Sequence, residues 1–197
     1  MRSRGFTLVE LLVVVTIAAI LVAGSVPSFA WFIASSRTSN AADTMVAAFE
    51  RARSEAARRG AVVSVCRSLE PYAAEPAIRC SNAAGLGYAA GDWASGWVMF
   101  EKRGSAAAGT YQNGVDAVLQ RQPAAAAGRA RLVVAGNLPS AAVAYDRHGT
   151  AASSAGTFSI DYRDPATAML TGAARCVVVA AVTGRVTVRR PVAGACG

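Results

Sequence analysis

The sequence feature that most constrains this chain is an apolar run close to its N-terminus, Phe6–Gly24. Over these 19 residues the only polar side chains are those of Thr7, Glu10 and Thr16. As a helix the run would rise about 29 Å, close to the roughly 30 Å of hydrocarbon in a bilayer. The run therefore predicts a membrane-spanning helix, and a short basic leader, residues 1–5, precedes it.

Glu10 is the residue that a simple membrane anchor does not explain. A carboxylate at this depth costs about 2.5–3.5 kcal/mol on insertion scales, so Glu10 is a candidate functional residue that needs a cationic partner. Cleavage after Gly5 would create a new α-amino group on Phe6, and that amine in a neighbouring copy would be such a partner. A secretory signal peptide fits less well, because its apolar stretch is only about 7–15 residues long. A plain single-span anchor fits less well because it needs no acid.

The segment Gly5–Glu10 reads Gly-Phe-Thr-Leu-Val-Glu and opens an apolar helix. It resembles the class III signal of type IV pilins and pseudopilins. The resemblance implies that a prepilin peptidase cuts between Gly5 and Phe6 and methylates the new amine. It also implies that Glu10 guides docking into a filament of other pilins or pseudopilins.

A helical pattern continues beyond the apolar run, and Gly60 is a natural stop for it. We therefore expect one helix of about 50 residues, with residues 6–34 in the membrane and the filament core and residues 35–60 as an amphipathic continuation. Residues 61–197 should form a β-rich globular head. The apolar residues at i, i+3, i+4 and i+7 spacing on the amphipathic face are Ala42, Met45, Val46, Phe49, Ala52 and Ala56.

The head contains several stretches of strand-like composition, separated by small and polar residues. The clearest is a C-terminal hairpin, in which Arg175–Val182 and Arg185–Arg189 are joined by a turn at Thr183-Gly184. Alternation places Arg185, Thr187 and Arg189 on one face of the second strand. The other predicted strands lie at residues 61–66, 93–100, 117–121, 131–135, 141–145 and 157–162.

The four cysteines fit two disulfides in an oxidising compartment. We expect the pairs Cys66–Cys80 and Cys176–Cys196, because each closes a short local loop. No CxxC spacing occurs, so we do not expect a zinc site. We also expect no other metal and no cofactor.

The only histidine lies in Asp146-Arg147-His148-Gly149, which is typical of a turn. Neither a nucleophile motif nor a phosphate-binding loop accompanies it. The sequence therefore predicts a protein that is not an enzyme and has no small-molecule substrate.

Beyond the N-terminal signal, the whole chain resembles the GspH/FimT branch of the pilin-like proteins. The match includes Gly91-Asp92-Trp93, Gly96–Phe100, Val118-Leu119, the Asp146–Gly149 turn and the closing hairpin. The resemblance implies an α+β fold, in which a long N-terminal helix, membrane-spanning in its first half, packs on a β-sandwich-like head of two sheets. It implies a minor subunit of a type IV pilus or of a type II secretion pseudopilus, acting in assembly or at the tip. Its location would be the bacterial inner membrane, single-pass with a periplasmic head, and then the filament.

An alternative function follows from charge. The net charge of +8 favours anionic partners. FimT-like pilins of naturally competent bacteria resemble this chain and bind DNA through a C-terminal Gly-Arg-x-Arg motif. Here Gly184-Arg185-Val186-Thr187 lacks the second arginine, and Arg189 is the candidate substitute on the same strand face. Arg185, Arg189 and Arg190 are thus the candidate DNA-binding residues.

Overall fold

A computed structural model gives the fold of this chain. It describes residues 7–74, 77–125, 131–138, 141–153, 156–163, 173–192 and 194–196, and for residues 22–28, 30, 131, 132, 153 and 163 it describes the backbone alone. The predicted leader therefore lies outside the described residues.

One long helix, α1, runs through Leu8–Arg59 for 52 residues, as predicted. Its N-cap is Thr7, whose hydroxyl accepts from the amide of Glu10 at 3.3 Å. Gly60 ends it in the left-handed region at φ 62°, where a residue without a Cβ carries no steric cost. Among the residues whose side chains are described, no helical stretch is both long and apolar enough to cross a membrane.

Nine strands in the described part of the chain form two antiparallel sheets beside this helix. The first sheet has the order β3-β2-β1-β5-β6, and the second has the order β4-β7-β8-β9. A short 3-10 helix, Trp93–Ser95, precedes β2. The strands are β1 (Val63–Arg67), β2 (Trp97–Glu101), β3 (Ala117–Gln122), β4 (Arg131–Gly136), β5 (Ala142–Tyr145), β6 (Ala151–Ser153), β7 (Gly156–Arg163), β8 (Arg175–Val179) and β9 (Val186–Arg189).

The core lies between the amphipathic half of α1 and the two sheets. Phe49 on α1 packs against Trp93 and Phe158, with ring centroids 6.3 and 5.2 Å away. All three rings are almost fully buried. The predicted helix face is the one that carries these contacts, since Ala42, Met45, Phe49, Ala52 and Ala56 all belong to the main core cluster. The long helix packed on an antiparallel β head is thus confirmed.

The strand predictions need two corrections. Trp93 belongs to the 3-10 helix and not to a strand, because Asp92 accepts from the amide of Ala94 and winds the chain into a helical turn. The strand before the C-terminal hairpin turn ends at Val179 and does not reach Val182. The turn is therefore longer than the predicted Thr183-Gly184.

Two disulfides tie loops and the tail to the sheets. Cys66 on β1 is bonded to Cys80 in the loop that follows, and Cys176 on β8 is bonded to Cys196 near the C-terminus. These are the same pairs as those expected from the sequence. The described residues contain no free cysteine.

Candidate functional site

Glu10 lies in the first turn of α1, where its negative charge is favourable at the positive end of the helix dipole. Its side chain is exposed, and so are all the side chains of residues 7–21, on every face of the helix. Glu10 is therefore the single acid in an exposed and otherwise mostly apolar stretch of helix, residues 7–21. Gly5 and Phe6, the predicted processing site, lie outside the described residues.

The candidate DNA-binding arginines lie on β9 and directly beside it. Arg185, Arg189 and Arg190 are all exposed, whereas Val186 is buried against the core. Among the described strands, β9 lies at the edge of the second sheet and pairs with β8. Arg189 donates to the carbonyl oxygen of Cys196 at 3.3 Å, so the disulfide-bonded tail lies beside it. Strand alternation places Arg185 and Arg189 on one face. Val188, on the opposite face with the buried Val186, is nevertheless 44% exposed, so both faces of β9 are exposed beyond Val186.

The turn before this strand is fixed by contacts with the first sheet. Gly184 has φ 64° and lies against the ring of Tyr145, where a Cβ would come within 2.7 Å of a ring carbon. The amide of Ala151 on β6 donates to the carbonyl of Val182 at 3.2 Å. Val182 itself has φ 66° and is 76% exposed. The position of Arg185 is therefore set by a glycine that no larger residue can replace without moving Tyr145.

The Asp146–Gly149 turn is a structural link between the first sheet and α1. The Asp146 carboxylate accepts from the hydroxyl of Thr150 at 2.7 Å and from the amides of Thr150 and His148. The hydroxyl bond comes first among the interactions that hold the pKa of Asp146 below its ordinary value. Arg53 on α1 donates to the carbonyl of Gly149 at 2.9 Å. This is the turn chemistry that the sequence predicts.

A buried arginine that the sequence analysis does not single out organises the loop after β1. Arg67 is fully buried and donates to the carbonyls of Asp92 (2.7 Å), Ser81, Ala83 (2.9 Å) and Ala89 (3.2 Å). Burial lowers the pKa of Arg67, and the nearby Asp92 carboxylate partly offsets this. Asp92 also accepts from the amide of Val134 at 2.9 Å, which joins this loop to the second sheet.

A buried ion pair holds the loop between β2 and β3. Lys102 donates to the Asp116 carboxylate at 2.8 Å, and both side chains are almost completely buried. The amides of Arg103, Gly104 and Gln112 donate to the same carboxylate at 2.7–2.9 Å. Burial by itself would raise the pKa of Asp116, but these hydrogen bonds outweigh it and lower the pKa. Arg67 and the Lys102–Asp116 pair each hold a loop in place, and no cluster of metal-ligating side chains occurs among the residues that the structure describes.

A family model described as Type II transport protein GspH matches residues 41–184, and a model of the prokaryotic N-terminal methylation motif matches residues 1–26. No curated protein sequence matches the chain.

Two solved structures share the fold, and both are crystal forms of the type IV minor pilin FimU from Pseudomonas aeruginosa strain PAO1. The first has a TM-score of 0.52 at 18% identity and covers 82% of this chain and 96% of that chain. The second has a TM-score of 0.50 at 16% identity and covers 81% of this chain and 99% of that chain.

Proposed function

We propose that this chain, which belongs to the GspH family of pilin-like type II transport proteins, is a minor subunit of a pilin-type filament. In this proposal the residues before Phe6 form a leader that a prepilin peptidase removes. Residues 6–34 span the inner membrane and later enter the filament core, residues 35–60 continue the helix, and residues 61–197 form a periplasmic head. The subunit acts in assembly or at the tip of a type IV pilus or a type II secretion pseudopilus.

The observation that carries the proposal is the acid at the start of α1. Glu10 is exposed in the first turn of a helix whose side chains are all uncovered from residue 7 to residue 21. An apolar helix with one carboxylate is stable only where other apolar groups cover its surface and a cation pairs with the acid. A bundle of identical or related helices provides both, since the processed amine of a neighbour is the cation.

We expect Glu10→Ala and Glu10→Gln to leave cleavage and membrane insertion unchanged. Both variants should be incorporated into filaments about tenfold less or worse, because the loss of an ion pair worth about 1.4 kcal/mol corresponds to a factor of ten. The measurement is the amount of this subunit in sheared filaments relative to the membrane fraction, by immunoblot.

Thr16→Ala is the matched control for Glu10. It removes another polar group from the same apolar stretch, but its hydroxyl bonds to carbonyls of its own helix, those of Leu12 and Val13. It should therefore be incorporated normally. Normal incorporation of both Glu10 variants would rule out the docking role.

A second candidate function is DNA binding in natural transformation by the exposed arginines of β9 and its two ends. What favours it is that Arg185, Arg189 and Arg190 are all exposed at one sheet edge. The tail that follows is fixed to β8 by the Cys176–Cys196 disulfide. Cations on a rigid edge can contact successive phosphates, and this kind of contact does not discriminate between sequences.

DNA binding by this sheet edge can be tested with a double variant, a pair of substitutions that combines Arg185→Gln with Arg189→Gln. The pair should weaken duplex binding equally for all sequences and flatten the log–log salt slope by about 0.9 for each phosphate that is no longer neutralised. Fluorescence anisotropy at several salt concentrations measures both quantities. Arg79→Gln with Arg103→Gln, two exposed arginines in loops of the first sheet, is the control. A wild-type chain that binds no DNA at low salt would leave only the structural role.

A further inference from the structure

Three exposed aromatic side chains surround α1 just below the head. Phe29, Trp31 and Phe32 are 65%, 47% and 63% exposed. Phe29 and Phe32 lie one turn apart on one side of the helix, while Trp31 lies one turn below Ala34, on the side that faces the head. Ala34 is fully buried and packs with Tyr162 and Ala173, so the head begins directly above these rings. The aromatic residues therefore mark the boundary between the uncovered apolar helix and the head.

Two arginines lie immediately above this boundary. The Arg37 guanidinium donates to the Tyr162 hydroxyl at 3.0 Å and stacks on its ring, 5.2 Å from the centroid. Arg175 on β8 reaches the hydroxyl of Ser35 at 3.4 Å and donates to the carbonyl of Ala174. Along α1 no acid occurs between Glu10 and Asp43. Arg37 on α1 and Arg175 on β8 thus place two positive charges just above the apolar half of the helix, and the helix itself offers no nearby acid to neutralise them.

The spacing of these groups matches the layers of a phospholipid bilayer. From Leu8 to Trp31 the helix rises about 35 Å, slightly more than the roughly 30 Å of hydrocarbon, so Trp31 reaches the interface, where aromatic side chains concentrate. Arg37 lies about 9 Å further along the helix, at the level of lipid phosphates. Arginine is the side chain best suited to phosphate, because its planar guanidinium donates two parallel hydrogen bonds.

We propose that Phe29, Trp31, Phe32, Arg37 and Arg175 form a lipid-docking collar that holds the head on the membrane surface by binding anionic phospholipid headgroups. This inference depends on the proposed membrane-spanning role of residues 6–34. The aromatic rings occupy the interface, and the two arginines bind phosphates of the same leaflet. The collar fixes the height of the head before assembly, and its bonds to lipid must break when the subunit leaves the membrane for a filament.

Trp31 is a built-in probe for this test. The chain has three tryptophans, and the other two, Trp93 and Trp97, are only 3% and 4% exposed within the core. The full-length chain is reconstituted in vesicles whose phospholipids carry bromine near the headgroup or near the acyl end, and the fluorescence of a Trp31→Phe variant is subtracted. Bromine near the headgroup should quench Trp31 most strongly.

A second arm tests the preference for anionic lipid. Vesicles of phosphatidylcholine carry a small fraction of brominated phosphatidylglycerol or, in a parallel set, of brominated phosphatidylcholine. Brominated phosphatidylglycerol should quench Trp31 more strongly than brominated phosphatidylcholine does. Arg37→Gln and Arg175→Gln should each lower the affinity of the protein for phosphatidylglycerol, relative to phosphatidylcholine, about fivefold. Arg147→Gln, an exposed arginine of the Asp146–Gly149 turn, is the matched control and should change nothing. Unchanged emission from Trp93 and Trp97 verifies that the variants fold.

The outcomes separate the collar from the function on which it depends. A chain that leaves the vesicles in an alkaline wash contradicts the membrane-spanning proposal itself. A chain that stays in the vesicles while the bromine near the acyl ends quenches Trp31 best, or with no preference for phosphatidylglycerol, overturns the collar alone. A chain that stays while no bromine quenches Trp31 also overturns it, because Trp31 is then shielded from lipid.

Discussion

Replacing Arg67 with methionine should lower the free energy of unfolding of the head by about 3–5 kcal/mol, the usual effect of breaking a buried charged network. Methionine is an unbranched side chain that donates no hydrogen bond, so the carbonyls of Ser81, Ala83, Ala89 and Asp92 would be left without this donor inside the protein. The buried Asp92 carboxylate would be deprived of a nearby positive charge as well. Since a domain is stable by only about 5–15 kcal/mol, this effect is a large part of the total.

Thermal unfolding followed by circular dichroism, on the full-length chain in detergent, measures the Arg67 effect. Arg79→Met is the control, because Arg79 is an exposed arginine of the same loop and its replacement should change stability by less than about 0.5 kcal/mol. Limited proteolysis should cut the loop of residues 68–92 faster in Arg67→Met than in the wild type. Equal stability of the Arg67 and Arg79 variants would contradict the role of the buried guanidinium.

Asp116→Asn should lower the free energy of unfolding of the head by about 2–4 kcal/mol, because it leaves the Lys102 ammonium buried without its counter-charge. The substitution should also change how the free energy of unfolding depends on pH. The pKa of Asp116 is lower in the folded state than in the unfolded chain, so its contribution to stability is complete above the ordinary aspartate pKa of about 3.9 and is lost as the pH falls below it. The variant should therefore lose less stability between neutral and acid pH than the wild type.

Urea denaturation at several pH values from about 3 to about 7, which bracket the ordinary aspartate pKa, gives both quantities for Asp116. Asp43→Asn is the matched control, since it replaces an aspartate that is exposed on α1 and belongs to no buried ion pair. An Asp116→Asn curve parallel to that of the wild type at every pH would show that this carboxylate does not link folding to pH.

The elements of this fold that follow a periodic pattern can be predicted from the sequence. The helix is one example, because its apolar positions recur at helical spacing and Gly60 stops it. Most strands can also be predicted, because they are short apolar and β-branched runs bounded by small and polar residues. β6 is not predicted, since Ala151-Ala152-Ser153 is too short and too poor in β-branched residues to produce a strand pattern.

The buried polar groups cannot be predicted in this way, and the reason is physical. Arg67 bonds to backbone carbonyls of a loop that has no regular pattern, and a carbonyl is present at every residue, so no side chain marks the partners. Asp116 likewise binds backbone amides whose positions depend on the loop conformation. Asp92 lies directly before Trp93 and caps the 3-10 helix there, but the sequence pattern alone indicates no helix to cap.

The structure gives the positions of four predicted site residues. The structure places Arg185, Arg189 and Arg190 at one exposed edge and Glu10 in an exposed first turn. Their roles in DNA binding and docking remain predictions, because both depend on a partner molecule.

The intact mass of the native protein, together with the mass of its N-terminal peptide, tests whether this chain is a processed filament subunit. We predict a mature chain that begins at Phe6 with a methylated α-amino group, because cleavage after Gly5 creates the cation that Glu10 needs in a neighbouring subunit. Gly5→Val should block this cleavage and leave the full-length precursor in the membrane. An intact N-terminus at Met1 in the wild type, or cleavage near Ala30 by a signal peptidase, would contradict the assignment of this chain as a processed filament subunit.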